Sequence, residues 1–270
     1  MNGDHPRATA RELAAVHLER GDPLGWFETL YCRARAAGQA AVIPWADLQP
    51  NPHLVEWLSS SADPCVPTTA PPARPAPAAP AAPPRRPRRA LVIGCGLGDD
   101  AEWLASRGGG RGGGRGWSVV AFDISAEAIR WARERFPQSE VDYRVVDLFD
   151  APPEWRRQFD LVVEAYTLQV LPPAPAPAGG GAGAGGGGLR ARAVQVVADW
   201  VSVGGLLCVI ARGRAESDPP GQMPWPLTER EVRAFEGEEG AGLHCEVFDD
   251  FMDRQELAVR RFRAVFRRGG

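Results

Sequence analysis

Arg89-Ala90-Leu91-Val92-Ile93-Gly94-Cys95-Gly96-Leu97-Gly98, and after it Val119-Val120-Ala121-Phe122-Asp123, decide how this chain reads. An apolar run ends in a glycine-rich turn, and a second apolar run ends in a carboxylate. Glycines let the backbone turn sharply and approach a ligand, because no Cβ stands in the way. An acid closing the next strand can accept hydrogen bonds from both hydroxyls of a ribose. The pair of features predicts a cradle for an adenosine-containing cofactor.

The spacing narrows the cofactor. Dinucleotide sites use Gly-x-Gly-x-x-Gly, with the pyrophosphate on the helix N-terminus. Here Gly94, Gly96 and Gly98 alternate and are followed by Asp99-Asp100. Two carboxylates complement a helix dipole but repel a pyrophosphate. They suit a ligand with a cationic amino-acid end, such as S-adenosyl-L-methionine.

Working outward, Val141-Asp142-Tyr143-Arg144-Val145-Val146-Asp147-Leu148-Phe149-Asp150 alternates like a strand and ends in an acidic turn. A fourth run, Phe159–Ala165, and a fifth, Gly204–Ala211, follow, the latter after a helix-compatible 194–203. Apolar strands separated by helical segments predict an α/β fold, a mostly parallel sheet with helices on both faces. The organisation expected is an N-terminal helical lid over 1–65, a Pro/Ala/Arg-rich linker over 66–89 and a Rossmann-like core over 90–270. Low-complexity inserts fall at 108–116 and 174–188. Prolines at 66–89 forbid regular elements and predict an extended tether. All three low-complexity pieces sit where such a core has loops, and are expected to be dispensable.

Composition excludes several classes. The chain has a net charge of −3, which implies no bulk attraction to nucleic acid or membranes. Every basic side chain other than His is Arg, which argues against P-loop and Schiff-base chemistry. The Arg clusters in the tether and inserts carry no aromatic residues on which bases could stack. The five cysteines form no Cys-x-x-Cys pair, and the four histidines are dispersed, so no metal site is expected. No run approaches the ~20 apolar residues that span a bilayer. The early Asp4, Glu12 and Glu19 fit no targeting peptide, and a cytoplasmic location is expected.

Class I S-adenosylmethionine-dependent methyltransferases share this layout, and within them the chain resembles the thiopurine S-methyltransferases and related thiol and halide methyltransferases. The resemblance is carried by Cys95-Gly96, Glu102–Gly108, Asp123-Ile124-Ser125, Asp147–Asp150 and Phe159–Glu164. Pro172-Pro173, 224–228, Trp26, Pro44-Trp45, Asn51-Pro52 and Val55–Leu58 add weaker matches. It departs at Ala165, where those enzymes often carry Arg. The resemblance implies methyl transfer to a small-molecule acceptor, a thiol or another soft nucleophile. It also implies cofactor contacts from Gly94, Cys95, Gly96, Gly98, Asp123, Ile124, Asp147, Leu148 and Glu164, with Asp147 accepting from the adenine amino group.

Acceptor residues are less marked. Trp26 and Trp45 in the lid can exclude water and face a cation. Tyr166, just past the fourth strand, stands where open α/β sheets bind ligands and could take part in catalysis. Packing alone also accounts for all three. Enzymes that methylate bases or side-chain amino groups usually carry Asn/Asp-Pro-Pro-aromatic after that strand; Glu164-Ala165-Tyr166-Thr167 stands here instead. Two other readings remain open: a non-catalytic S-adenosylmethionine-binding module and a NAD-dependent oxidoreductase.

Overall fold

The computed structural model describes residues 5–60, 88–107, 116–173, 188–237, 241–254, 256 and 259–270. The low-complexity pieces therefore lie almost wholly outside the described residues. Three helices come first: α1 (His5–Glu19), α2 (Trp26–Ala36) and α3 (Pro52–Ser60). Then follow β1 (Arg88–Ile93), α4 (Asp99–Ser106), β2 (Trp117–Asp123), α5 (Ala126–Arg135) and β3 (Asp142–Val145). The second half is β4 (Phe159–Ala165), α6 (Leu189–Trp200), β5 (Val201–Arg212), α7 (Glu229–Val232), β6 (Leu243–Met252) and β7 (Arg260–Arg268).

The sheet has strand order β3-β2-β1-β4-β5-β7-β6. β1 pairs in parallel with β2 on one side and β4 on the other, so the chain reverses direction across the sheet between them. That reversal opens a crevice at the carboxyl ends of β1 and β4, where ligands bind in open α/β sheets. Only β7 runs against its neighbours, paired antiparallel with β5 and β6.

Alternation along β1 builds both faces. Leu91 and Ile93 pack with Phe122, Trp155, Trp200 and the α6 residues Val194 and Val197. Ala90 and Val92 face the other way, against Leu104 of α4, Ile129 of α5 and Leu54 and Trp57 of α3. Strands buried on both faces read as continuous apolar runs for this reason. The α3 helix thus belongs to the covering of the sheet, while Trp26 and Leu30 of α2 pack with Ala10 and Leu13 of α1 over the strand ends.

Several expected boundaries shift. β1 begins at Arg88, inside the expected linker, because Arg88 and Arg89 pair with Trp117 and Ser118. Residues 201–203, read as helix-compatible, open β5; Val201 pairs with Phe159 before a register shift, and Gly204 takes a φ of 75°. β3 is only four residues, and the acidic turn after it is a short 3-10 helix, Leu148–Asp150. Asp22 Oδ1 accepts from Gly25 N at 2.9 Å in the turn before α2, and Asn51 Oδ1 accepts from His53 N at 3.0 Å at the start of α3. No helix among the described residues is long and apolar enough to cross a membrane.

Candidate active site

Gly94 and Gly96 turn β1 toward α4 with φ of 56° and 52°, a left-handed backbone that only glycine adopts at little cost. Cys95 N donates to Phe122 O at 2.9 Å, tying the turn to the end of β2. Asp123 closes that strand and is 5% exposed. Its Oδ2 accepts from Gly96 N at 3.0 Å and its Oδ1 from Ser125 N at 2.9 Å. Burial pushes the Asp123 carboxyl up to about 6 against the pull of these two donors. Each oxygen keeps lone-pair capacity for a further donor, which is what a ribose diol supplies.

The two aspartates after the turn divide their work. Asp99 makes a bidentate pair with Arg135 of α5, both contacts 2.8 Å, and the same guanidinium donates to Leu97 O at 2.6 Å. Asp99 thereby fastens the glycine turn to α5. Asp100 accepts from Asn51 N at 2.6 Å, linking α4 to the start of α3, and burial pushes its carboxyl up to about 6. Burial also raises the Cys95 thiol well above the ordinary range, so it is protonated and no nucleophile.

These groups open into a cavity of about 470 Å³, within the ~300–1,000 Å³ of small-molecule sites. Its cradle side holds Gly94, Cys95, Gly96, Asp123, Ile124 and Leu148, six of the residues read as cofactor contacts. Phe27, Tyr31, Trp45 and Tyr166 give it an aromatic wall. Trp45 Nε1 donates to the Tyr31 hydroxyl at 3.0 Å, and a Cβ built on Gly96 would stand 3.0 Å from that hydroxyl. A side chain at residue 96 would therefore need the Tyr31 hydroxyl to give way, on a backbone that already favours glycine.

Four of the expected contacts lie off the cavity wall. Trp26 is 1% exposed, donates from Nε1 to Pro23 O at 3.1 Å and packs beneath Phe27 and Trp45. Glu164 is equally buried; its Oε1 accepts from Thr167 N at 2.7 Å and Leu168 N at 2.9 Å, shaping the turn that presents Tyr166. Burial raises its carboxyl to about 7. Asp147 is exposed and caps the 3-10 turn by accepting from Phe149 N at 2.8 Å. Gly98 is backed by the Tyr143 ring and begins α4.

Tyr166 does line the cavity. Its φ of 68° is rare for a side chain of this size and marks a tightly determined turn. The turn is held by Tyr166 N donating to Ile210 O at 2.9 Å. Sequence reasoning missed Tyr31 and the polar floor of Arg7, Arg212, Arg261 and Glu256, and it quoted Asn51 and Phe149 for the resemblance without assigning them a contact. Tyr31 had a usable signal, since it follows Phe27 by one helical turn on α2. The floor had none, because β7 was not foreseen. No cluster among the described residues could hold a metal ion.

Comparison with known proteins agrees with this architecture. Residues 90–179 match the methyltransferase domain family. No curated protein sequence matches the chain. Among solved structures it is similar to the N-methyltransferase NodS from Bradyrhizobium japonicum, in complex with S-adenosyl-L-homocysteine. The TM-score is 0.50 at 18% identity, over 68% of this chain and 79% of that one. A methyltransferase from Methanosarcina mazei gives 0.48 at 16% identity over 69% and 95% of the two chains. The magnesium protoporphyrin IX methyltransferase from Synechocystis gives 0.45 at 16% over 66% and 69%. At 18% identity the likeness to NodS establishes the fold alone. With the matched domain over residues 90–179, the chain is an S-adenosyl-L-methionine-dependent methyltransferase on a Rossmann-like sheet.

Proposed function

We propose that this methyltransferase acts on a small-molecule acceptor and delivers the methyl to sulfur or a comparably soft nucleophile. The observation that carries the reading is the continuity of one cavity from the Gly96–Asp123 cradle to the aromatic wall of Phe27, Tyr31, Trp45 and Tyr166. When bound, S-adenosyl-L-methionine supplies an electrophilic methyl on a sulfonium, and the pair of the broken carbon–sulfur bond stays on the cofactor sulfur. Asp123 would hold the ribose, with Ile124, Leu148 and Phe149 against the adenosine. Asp100 would face the cofactor's cationic amino-acid end.

The aromatic wall supports the acceptor half of the proposal. Trp45 and Tyr31, locked together by their hydrogen bond, exclude water from the transfer zone. Such a wall favours a polarisable nucleophile, which ionises readily and asks for little proton transfer. Orientation of the two reactants can account for ~7–11 kcal/mol of the barrier in favourable cases.

The decisive experiment has two arms. Equilibrium binding should favour S-adenosyl-L-methionine over NAD. A panel of thiols, halides, amines and phenols, scored by release of S-adenosyl-L-homocysteine, should show thiols as the best acceptors. Tighter binding of NAD refutes the cofactor assignment, and exclusive turnover of amines or phenols refutes the soft-nucleophile assignment.

A further inference from the structure

Gln169 carries a polar group of which the fold uses only half. It lies in the short 3-10 turn Leu168–Val170 beyond β4, is 4% exposed, and lines the cavity. β4 pairs with β5 only as far as Ala165 and Ile210. The Gln169 side chain carries the ladder one step further, its Oε1 accepting from Arg212 N at 2.8 Å. Because a backbone N–H can only donate, that contact fixes the amide oxygen toward β5 and the Nε2 proton pair away from it. Among the described residues nothing accepts from Nε2. The pair therefore opens into the cavity that the residue lines.

Its surroundings make this donor both rigid and selective. Gln169 O accepts from Trp225 N at 2.7 Å, which pins the turn from a second side. Val170 beside it packs into the cluster of Trp26, Leu30 and Met223, with Phe27 and Trp45 at its margin. The amide thus projects from an apolar and aromatic wall, where a hydrogen bond is stronger than in water and an unmade one is costly. The strand order separates it from the nucleoside. Asp123 ends β2, on one side of β1, whereas Gln169 bridges β4 and β5 on the other. It also follows Tyr166 by three residues, in the stretch that supplies the aromatic wall. The donor pair accordingly belongs to the substrate's half of the cavity.

We propose that Gln169 selects the substrate, its Nε2 donating to a neutral carbonyl oxygen carried by the thiol. The inference rests on the methyl-transfer reading and adds a recognition group to it. A carbonyl oxygen offers two lone pairs to the two protons of the amide and needs no counter-charge. An ammonium offers only donors, so the same amide turns it away. A substrate of equal shape without the oxygen leaves the N–H pair shut off from water, and that loss is read directly as affinity. The amide is already held in place before binding, so no side-chain ordering offsets the gain.

The test uses the full chain loaded with S-adenosyl-L-homocysteine and two probes of matched shape, 3-acetylthiophenol and 3-isopropylthiophenol. Calorimetry at pH 8 should show the ketone binding about tenfold tighter, the worth of one neutral hydrogen bond in a dry pocket. Gln169→Glu keeps an oxygen for Arg212 N and removes the donor pair, so it should erase the ketone's advantage. Gln169→Met removes the donor without adding charge and should do the same, with the isopropyl probe and S-adenosyl-L-homocysteine bound as before. A glutamine that only braces the turn would instead weaken both probes together. Equal binding of the two probes to the native chain, or a ketone preference that survives in Gln169→Met, overturns the proposal. Turnover separates the two levels. A ketone preferred in this pattern but never methylated refutes transfer to sulfur and keeps the donor site. Both probes methylated with no preference refutes the donor site and keeps transfer to sulfur.

Discussion

Asp123 is the side chain whose ionisation should be readable in cofactor affinity. Its carboxyl sits at about 6 in the free protein because burial outweighs its two backbone donors. Hydrogen bonds from two ribose hydroxyls favour the ionised form. Between pH 5 and pH 7 the ionised share of a group at about 6 rises from about a tenth to about nine-tenths, so affinity for S-adenosyl-L-homocysteine should tighten roughly tenfold over that interval. Binding at pH 6 should release a proton, visible as a difference between calorimetric enthalpies in phosphate and in Tris. Asp123→Asn should reduce the pH dependence to the share that Asp100 contributes. At pH 7 that variant should weaken binding by about 3 kcal/mol or more, two charge-assisted hydrogen bonds at ~1.5–3 kcal/mol each, which is roughly a hundredfold. Asp100 also titrates near 6 in this cavity, so Asp100→Asn is the control and should retain a slope. A native chain with no pH dependence from 5 to 7, or an Asp123→Asn variant with the native slope, refutes the assignment.

What the sequence discloses follows how locally each feature is encoded. β1, β2 and β4 are legible because strands buried on both faces show as unbroken apolar runs, and because glycine or an acid must end them at the ligand. β6 and β7 alternate Arg, Asp and Glu with apolar residues at the antiparallel end of the sheet, so Arg260–Arg268 reads as a polar tail until β5 pairs with it. The guanidinium floor exists only once that pairing brings Arg212 and Arg261 together, and α1 adds Arg7 from more than 200 residues away in sequence. Asp147 and Glu164 illustrate the opposite difficulty. Both are acids at strand ends, the position that marks Asp123, yet one carboxylate turns back to cap a 3-10 helix and the other is consumed by the backbone of its own turn. Residue type and strand-end position locate the crevice, but the next few residues decide whether an acid faces it. Trp26 differs from Trp45 in the same way: the helix that carries it points the ring into the packing against α1.

Three further outcomes test the packing around the site. Trp26→Ala should cost ~3–5 kcal/mol of stability by denaturant unfolding, as a fully buried aromatic does, whereas Trp45→Phe should leave stability nearly native and raise the acceptor's KM by releasing Tyr31. Glu164 titrates at about 7, above its unfolded value of about 4.5, so its contribution to stability is fully present below pH 4.5 and lost as pH rises through 7. Glu164→Gln should lack that decline in thermal unfolding from pH 5 to 7.5, and an identical decline would place its cause elsewhere. Gly98→Ala should destabilise on two counts, since residue 98 has a φ of 94° and a Cβ there would lie 2.3 Å from the Tyr143 hydroxyl. The left-handed backbone costs ~1–3 kcal/mol by itself, and the hydroxyl collision adds to it. Tyr143→Phe removes the closest contact, leaving a ring carbon at 3.1 Å, along with the Tyr143 donation to Glu102, so the double variant should lose less than the sum of the two single losses. Strict additivity in that cycle would mean the turn relaxes away from Tyr143, and that the ring does not set the path by which β1 enters α4.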